Sequence, residues 1–202
     1  MRKIAKIIGT SLLLLVLVWI GTLIADRQRL SDNLIRLHVV AASDSQEDQS
    51  VKLKIRDAII EELRSGVSLL PDVDSAKAYL QEQLPRLKEI AEQVVAQEGL
   101  KDSVGVALRQ ESFPTRHYDT FSLPAGVYES LKITIGEGEG KNWWCVVFPS
   151  LCLPATAEGF ADAAAGAGFP ESLSGALRHD SGYEIRFFFL DCLGWLENLF
   201  HT

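Results

Sequence analysis

Residues 34–48, LIRLHVVAASDSQED, decide the fold. Ile35, Leu37 and Val39 alternate with Arg36 and His38, the period-two pattern of a strand with one buried face. The alternation stops at AASDSQED, where Ser43, Asp44 and Ser45 are all good N-cap residues. Asp44 with Glu47 three positions on resembles a capping box. A strand leading directly into a helix is therefore predicted. The helix covers about Glu47–Arg64, with Val51, Ile55, Ile59 and Leu63 as its apolar stripe and Gly66 as its stop.

Toward the C-terminus, a second helical region starts near Asp74 or Ser75 and ends at Gly99. Leu80, Leu84, Leu87, Ala91 and Val94 keep helical spacing, but Pro85 interrupts them. Proline predicts a kink there, or two helices with Pro85 in the first turn of the second. Val104, Val106 and Leu108 then alternate, and two corners follow at Phe113-Pro114 and Leu123-Pro124. The stretches 127–135, VYESLKITI, and 142–148, NWWCVVF, are further strands, and GEGEGK between them reads as a hairpin loop. A strand, two or three helices and then a β-meander predict an α+β domain with a largely antiparallel sheet.

Toward the N-terminus, Arg2, Lys3 and Lys6 precede a charge-free run of nineteen residues, IIGTSLLLLVLVWIGTLIA, at 7–25. About 20 apolar residues in a helix span a bilayer core. The basic flank predicts that this end stays in the cytosol and the remainder is exported. Ala25 suits the last position before a signal cleavage site, whereas Leu23 fits the minus-three position poorly. A cleaved signal peptide and an uncleaved anchor both remain open.

The predicted organisation is thus 1–25 a signal peptide or anchor helix, 26–33 a short polar stem and 34–153 the α+β domain. Residues 154–182 form an Ala/Gly/Ser-rich linker with a weak helix at Glu158–Ala165. The segment 183–202, YEIRFFFLDCLGWLENLFHT, is apolar again. Phe188, Cys192, Trp195 and Leu199 fit one helical face, while Ile185, Phe187 and Phe189 fit a strand. It either packs back onto the core or lies at a membrane interface.

Without Arg2, Lys3 and Lys6 the chain keeps 17 Lys plus Arg against 27 Asp plus Glu, a formal charge of −10. An acidic body is repelled by phosphate backbones, which argues against nucleic acid as a partner. His38, His117, His179 and His201 fall in no metal-ligand spacing, so neither a metal nor a cofactor is predicted. Cys145 and Cys152, six residues apart, match no zinc or thioredoxin pattern. They form either a disulfide of an oxidising compartment or separate thiols. GEGEGK is followed by Asn142 where a P-loop needs Ser or Thr, and its two glutamates repel phosphate. Trp143 and Trp144, adjacent in a strand, must point to opposite faces: either both are covered, one by the core and one by the tail or corner segments, or one lies exposed beside the glycine loop as an interface anchor. Glu61 and Glu62 read as solvated helix charge.

Four stretches carry a resemblance: IRLHVVAASDSQEDQSVKLKIRDAI at 35–59, LPRLKEIAE at 84–92, SFPT at 112–115, and LPAGVYESLKITIGEGEGKNWWCVVFPSLC at 123–152. In this order they resemble the stage II sporulation protein R family, over about 34–155 plus the export segment. The resemblance implies a signal made in the forespore and exported into the space between forespore and mother-cell membranes. There it would trigger a membrane-embedded aspartic protease of the mother cell that removes the pro-sequence of a sigma factor. Such a role implies no catalytic residue and no cofactor in this chain. The candidate partner-binding residues, chosen by motif position and chemistry, are Ser43, Asp44, Phe113, Pro114, Trp143 and Trp144. The chain departs from the family pattern at His38, where a basic residue is usual, and at Ala42, where Asn is usual. The alternative is an extracytoplasmic hydrolase of cell-wall material with Cys145 as nucleophile.

Overall fold

The computed structural model describes residues 2–118, 120–149, 165–166, 169–178 and 184–200. The predicted first strand, β1 (Ile35–Val40), is the centre of the sheet and not an edge. It pairs parallel with β5 (Gly126–Ile135) and antiparallel with β6 (Asn142–Phe148). On the far side of β5 lies β2 (Val104–Phe113), antiparallel to it, so the order is β2-β5-β1-β6. The fold is α+β with a mostly antiparallel sheet, as predicted.

The GEGEGK hairpin is corrected. β5 and β6 are not neighbours, because β1 lies between them, and the loop crosses over the end of β1 instead. Gly140 N–H donates to the Ala41 carbonyl at 2.9 Å and Glu139 N–H to the Ala42 carbonyl at 3.3 Å. Gly136 and Gly138 hold φ of 56° and 68°, a left-handed region that glycine enters without strain. A Cβ at Gly140 would collide with the Ser43 carbonyl. The sequence misleads here because Arg36 looks like the solvent side of a half-buried strand, yet it is fully buried.

One sheet face is covered by α2 (Gln46–Val67) and α3 (Val73–Gln97). Val51, Ile55, Ile59 and Leu63 of α2 and Leu80 and Leu87 of α3 meet Leu37, Val39, Leu131 and Ile133. Ser45, not Asp44, caps α2: its hydroxyl accepts the Asp48 N–H at 3.1 Å. Gly66 does not stop α2, since the helix continues to Val67. A side chain there would overlap the Tyr79 hydroxyl of α3, so this glycine permits a close helix approach. The helix α3 is single and passes through Pro85, whose missing N–H leaves the Gln81 carbonyl without its helical partner.

A second core on the other face joins α1 (Arg2–Asn33), α4 (Glu171–Leu177), α5 (Glu184–Phe200) and the short hairpin β3 (Arg116–His117)–β4 (Ser122–Leu123). Two sequence readings change here. Residues 26–33 are not a free stem but the last turns of α1, with Leu30, Asp26 and Arg27 all buried. Within the supposed linker, Phe169, Leu173 and Leu177 recur every four residues and are buried, and 171–177 is helical. Small residues concealed that stripe; most of the predicted helix Glu158–Ala165 lies outside the described residues. The C-terminal segment is a helix that packs back through Leu190. Among the described residues, α1 is the one helix long and apolar enough to cross a bilayer. Its charge-free run reaches about 28 Å at ~1.5 Å per residue.

Candidate partner-binding surface

Where β1 ends, two loops lock together. The Ser43 carbonyl accepts from Gln49 Nε2 at 2.8 Å, and the Ser43 hydroxyl donates to Asp48. Asp44, freed from capping, accepts the Lys141 N–H at 2.7 Å and so ties the β1–α2 loop to the crossing loop. Behind them Lys52, only 4% exposed, donates to Gln49 Oε1 at 2.6 Å and to the Lys141 carbonyl at 2.9 Å. Burial pulls the Lys52 ammonium below its ordinary range, and Asp44 opposes that pull. Nothing local sets Lys52 apart from the other cations of the chain; its one signal is a charge placed beside Val51, against the apolar stripe.

The adjacent tryptophans do point to opposite faces. Trp143 lies on the α2 side, 37% exposed, with the Arg56 guanidinium 4.2 Å from its ring centre. Trp144 is half-buried on the other face, stacked on His38 at 5.7 Å and under Arg116 at 3.5 Å. Ser43, Asp44 and Trp143 therefore share one rim at the β1 exit.

Phe113 and Pro114 belong elsewhere. Phe113 pairs with Gly126 at the start of β5, whereas Val40 pairs with Thr134 near its end. Eight residues of strand separate the two ends by roughly 26 Å. Phe113 is 1% exposed, with the Arg36 guanidinium 4.1 Å above it, so it is a packing residue and offers no ring to a partner. Pro114 is exposed and lines a groove with Asp191, Trp195 and Leu199 of α5.

The open part of the second sheet face holds a charge cluster that the sequence did not reveal. Glu111 accepts from Arg109 at 2.8 Å and Lys132 at 3.0 Å, and meets His38 Nδ1 at 3.1 Å. Its partners come from three strands, so only strand register brings them together. Burial opposes ionisation of Glu111, but the hydrogen bonds from His38, Arg109 and Lys132 outweigh it and hold the carboxyl well below the usual range. A depressed carboxyl stabilises the fold above its unfolded pKa and loses that contribution as pH falls toward the folded value. Glu111→Gln should therefore lower the melting temperature at neutral pH, and the gap from wild type should narrow below about pH 4.5. Circular dichroism melts of the detergent-solubilised chain across that range check it; a gap independent of pH would contradict the assignment.

Cys145 faces the α2–α3 core, while His38 and His117 lie on the opposite side of the sheet. Cys152, its proposed disulfide partner, lies outside the described residues. Among the described residues no group of three or more His, Cys, Asp or Glu side chains is arranged to hold a metal.

Comparison with known proteins agrees on one family. The family described as Stage II sporulation protein R matches residues 31–158. Stage II sporulation protein R of Bacillus subtilis (strain 168) is 42% identical over 122 residues, which is 60% of this chain and 54% of that protein. The chain thus spans about half the length of the curated relative it matches. No solved structure matches. Both α4 and α5 lie beyond the matched residues.

Proposed function

The chain belongs to the stage II sporulation protein R family, and from that premise we propose that it is an exported signalling ligand of sporulation. In this reading the domain leaves the forespore through the apolar segment of α1 and reaches the space between the two membranes. It then docks on a membrane-embedded aspartic protease of the mother cell, which processes the precursor of a sigma factor. The observation that carries the docking is the exposed Trp143 on a rim fixed by the Asp44–Lys141 and Lys52 hydrogen bonds. A rigid aromatic loses little entropy on binding and suits a hot spot. To activate, the ligand must bind the active state of the protease more tightly than the inactive one.

Export is tested by fusing alkaline phosphatase after Thr202, since that enzyme folds only outside the cytosol. The fusion should be active, and deletion of 7–25 should silence it. An inactive fusion from the intact chain would place the domain in the cytosol and end this reading.

A further inference from the structure

α5 departs from the usual arrangement of a surface helix: besides the inward stripe of Phe187, Leu190 and Leu193, it carries a second apolar face outward. An ordinary surface helix turns its apolar stripe inward and its charges to water. Here the polar side chains are engaged by the rest of the domain: Arg186 pairs with Asp26, the half-exposed Glu197 with Arg27, and Asp191 accepts from the Ala125 N–H at 2.7 Å and from the Thr115 hydroxyl. Asn198 donates to the Phe113 carbonyl at 2.9 Å. Outward stand Phe188, Phe189, Trp195, Leu196 and Leu199, between 39% and 60% exposed, with no charge among them. Gly194 fixes that rotation, because any side chain there would collide with the Ala125 carbonyl.

The position of this face says what covers it. Trp19, inside the charge-free run of α1, meets Phe189 edge-on at 4.8 Å between ring centres. The Asp26–Arg186 pair lies just beyond the end of that run. From there α5 runs on to the Phe113 carbonyl, roughly 18 Å over the twelve helical residues from Arg186 to Asn198. Its bare face is therefore continuous with the surface of α1 that enters lipid.

We propose that the outward face of α5 lies in the surface of the bilayer that α1 crosses, as an in-plane helix that seats the domain against the lipid. The proposal rests on α1 spanning that membrane. Aromatic residues such as Phe188 and Trp195 suit the headgroup boundary, and an apolar face sinks about 5–10 Å into it. Because the face carries no cation, it needs no anionic lipid.

The test uses the full chain with Cys152→Ser, reconstituted in vesicles of palmitoyl-oleoyl phosphatidylcholine. Cys192, exposed on the outward face, carries a nitroxide whose collisions with oxygen and with a water-soluble nickel chelate are compared. The reference is the same label at Glu61→Cys on α2 in a Cys192→Ser background, and alkaline carbonate washing reports whether α1 is embedded. The expected result is a chain that resists carbonate and an oxygen-to-nickel ratio several-fold higher at Cys192 than at the reference. Trp195→Asp with Leu199→Asp should lower that ratio toward the reference. A carbonate-resistant chain whose Cys192 meets nickel as freely as the reference would overturn the α5 proposal and leave the α1 reading standing. Release by carbonate would overturn both.

Discussion

Trp143→Ala is expected to weaken activation of sigma-factor processing by about 30-fold or more while leaving the domain folded. Truncating an aromatic hot spot costs at least about 2 kcal/mol of binding, and each ~1.4 kcal/mol is a factor of ten. The fold loses little by comparison. The ring is 37% exposed and its best contact is the Arg56 guanidinium, an interaction worth about 0.5–1 kcal/mol at an exposed site. Trp144→Ala is the contrast, because it removes the ring held between His38 and Arg116 and acts through stability. The measurement is precursor cleavage as a function of the amount of exported chain, with melting temperatures alongside. Undiminished cleavage by a folded Trp143→Ala chain would remove this rim from the contact.

Arg186→Ala should be the most damaging single change to stability, at about 3–5 kcal/mol. It strips the main counter-charge from Asp26, whose carboxylate is buried between α1 and α5, leaving among the described residues only Arg29 at 3.7 Å. Small domains hold only about 5–15 kcal/mol in all, so α5 should detach or the chain fail to accumulate. Adding Asp26→Asn should restore much of the loss, since an amide without a partner costs less than a bare charge. Thermal unfolding of the wild type and the two variants in detergent checks this. A loss below about 1 kcal/mol for Arg186→Ala would mean that water screens the pair.

The strand–helix start, the two covering helices and the later strands were legible because each carries a local period. The apolar stripe Val51–Ile55–Ile59–Leu63 needs no tertiary information to be read. What failed was non-local. Nothing near Arg36 reveals that β6 will pair on the far side of β1, so a central strand looked half-buried and a crossing loop looked like a hairpin. Asp44 looks like a local cap in the sequence because its partner, Lys141, is ninety-seven residues away. Phe113 looked like a surface corner residue for the same reason. The four-residue spacing of Phe169, Leu173 and Leu177 was present in the sequence but hidden among Ala, Gly and Ser. Of the candidate site, Ser43, Asp44 and Trp143 converge on one rim, while Glu111 and Lys52 owe their positions to register and close packing.

The central claim is that this chain, once exported, switches on processing of a sigma-factor precursor. It is tested most directly by co-expressing the chain with the membrane-embedded aspartic protease and the precursor in a non-sporulating host, and following the precursor by immunoblot. Cleavage that requires the chain, its 7–25 segment and an active protease is the predicted result. An intact precursor, with all three proteins folded and in their proper compartments, would contradict it.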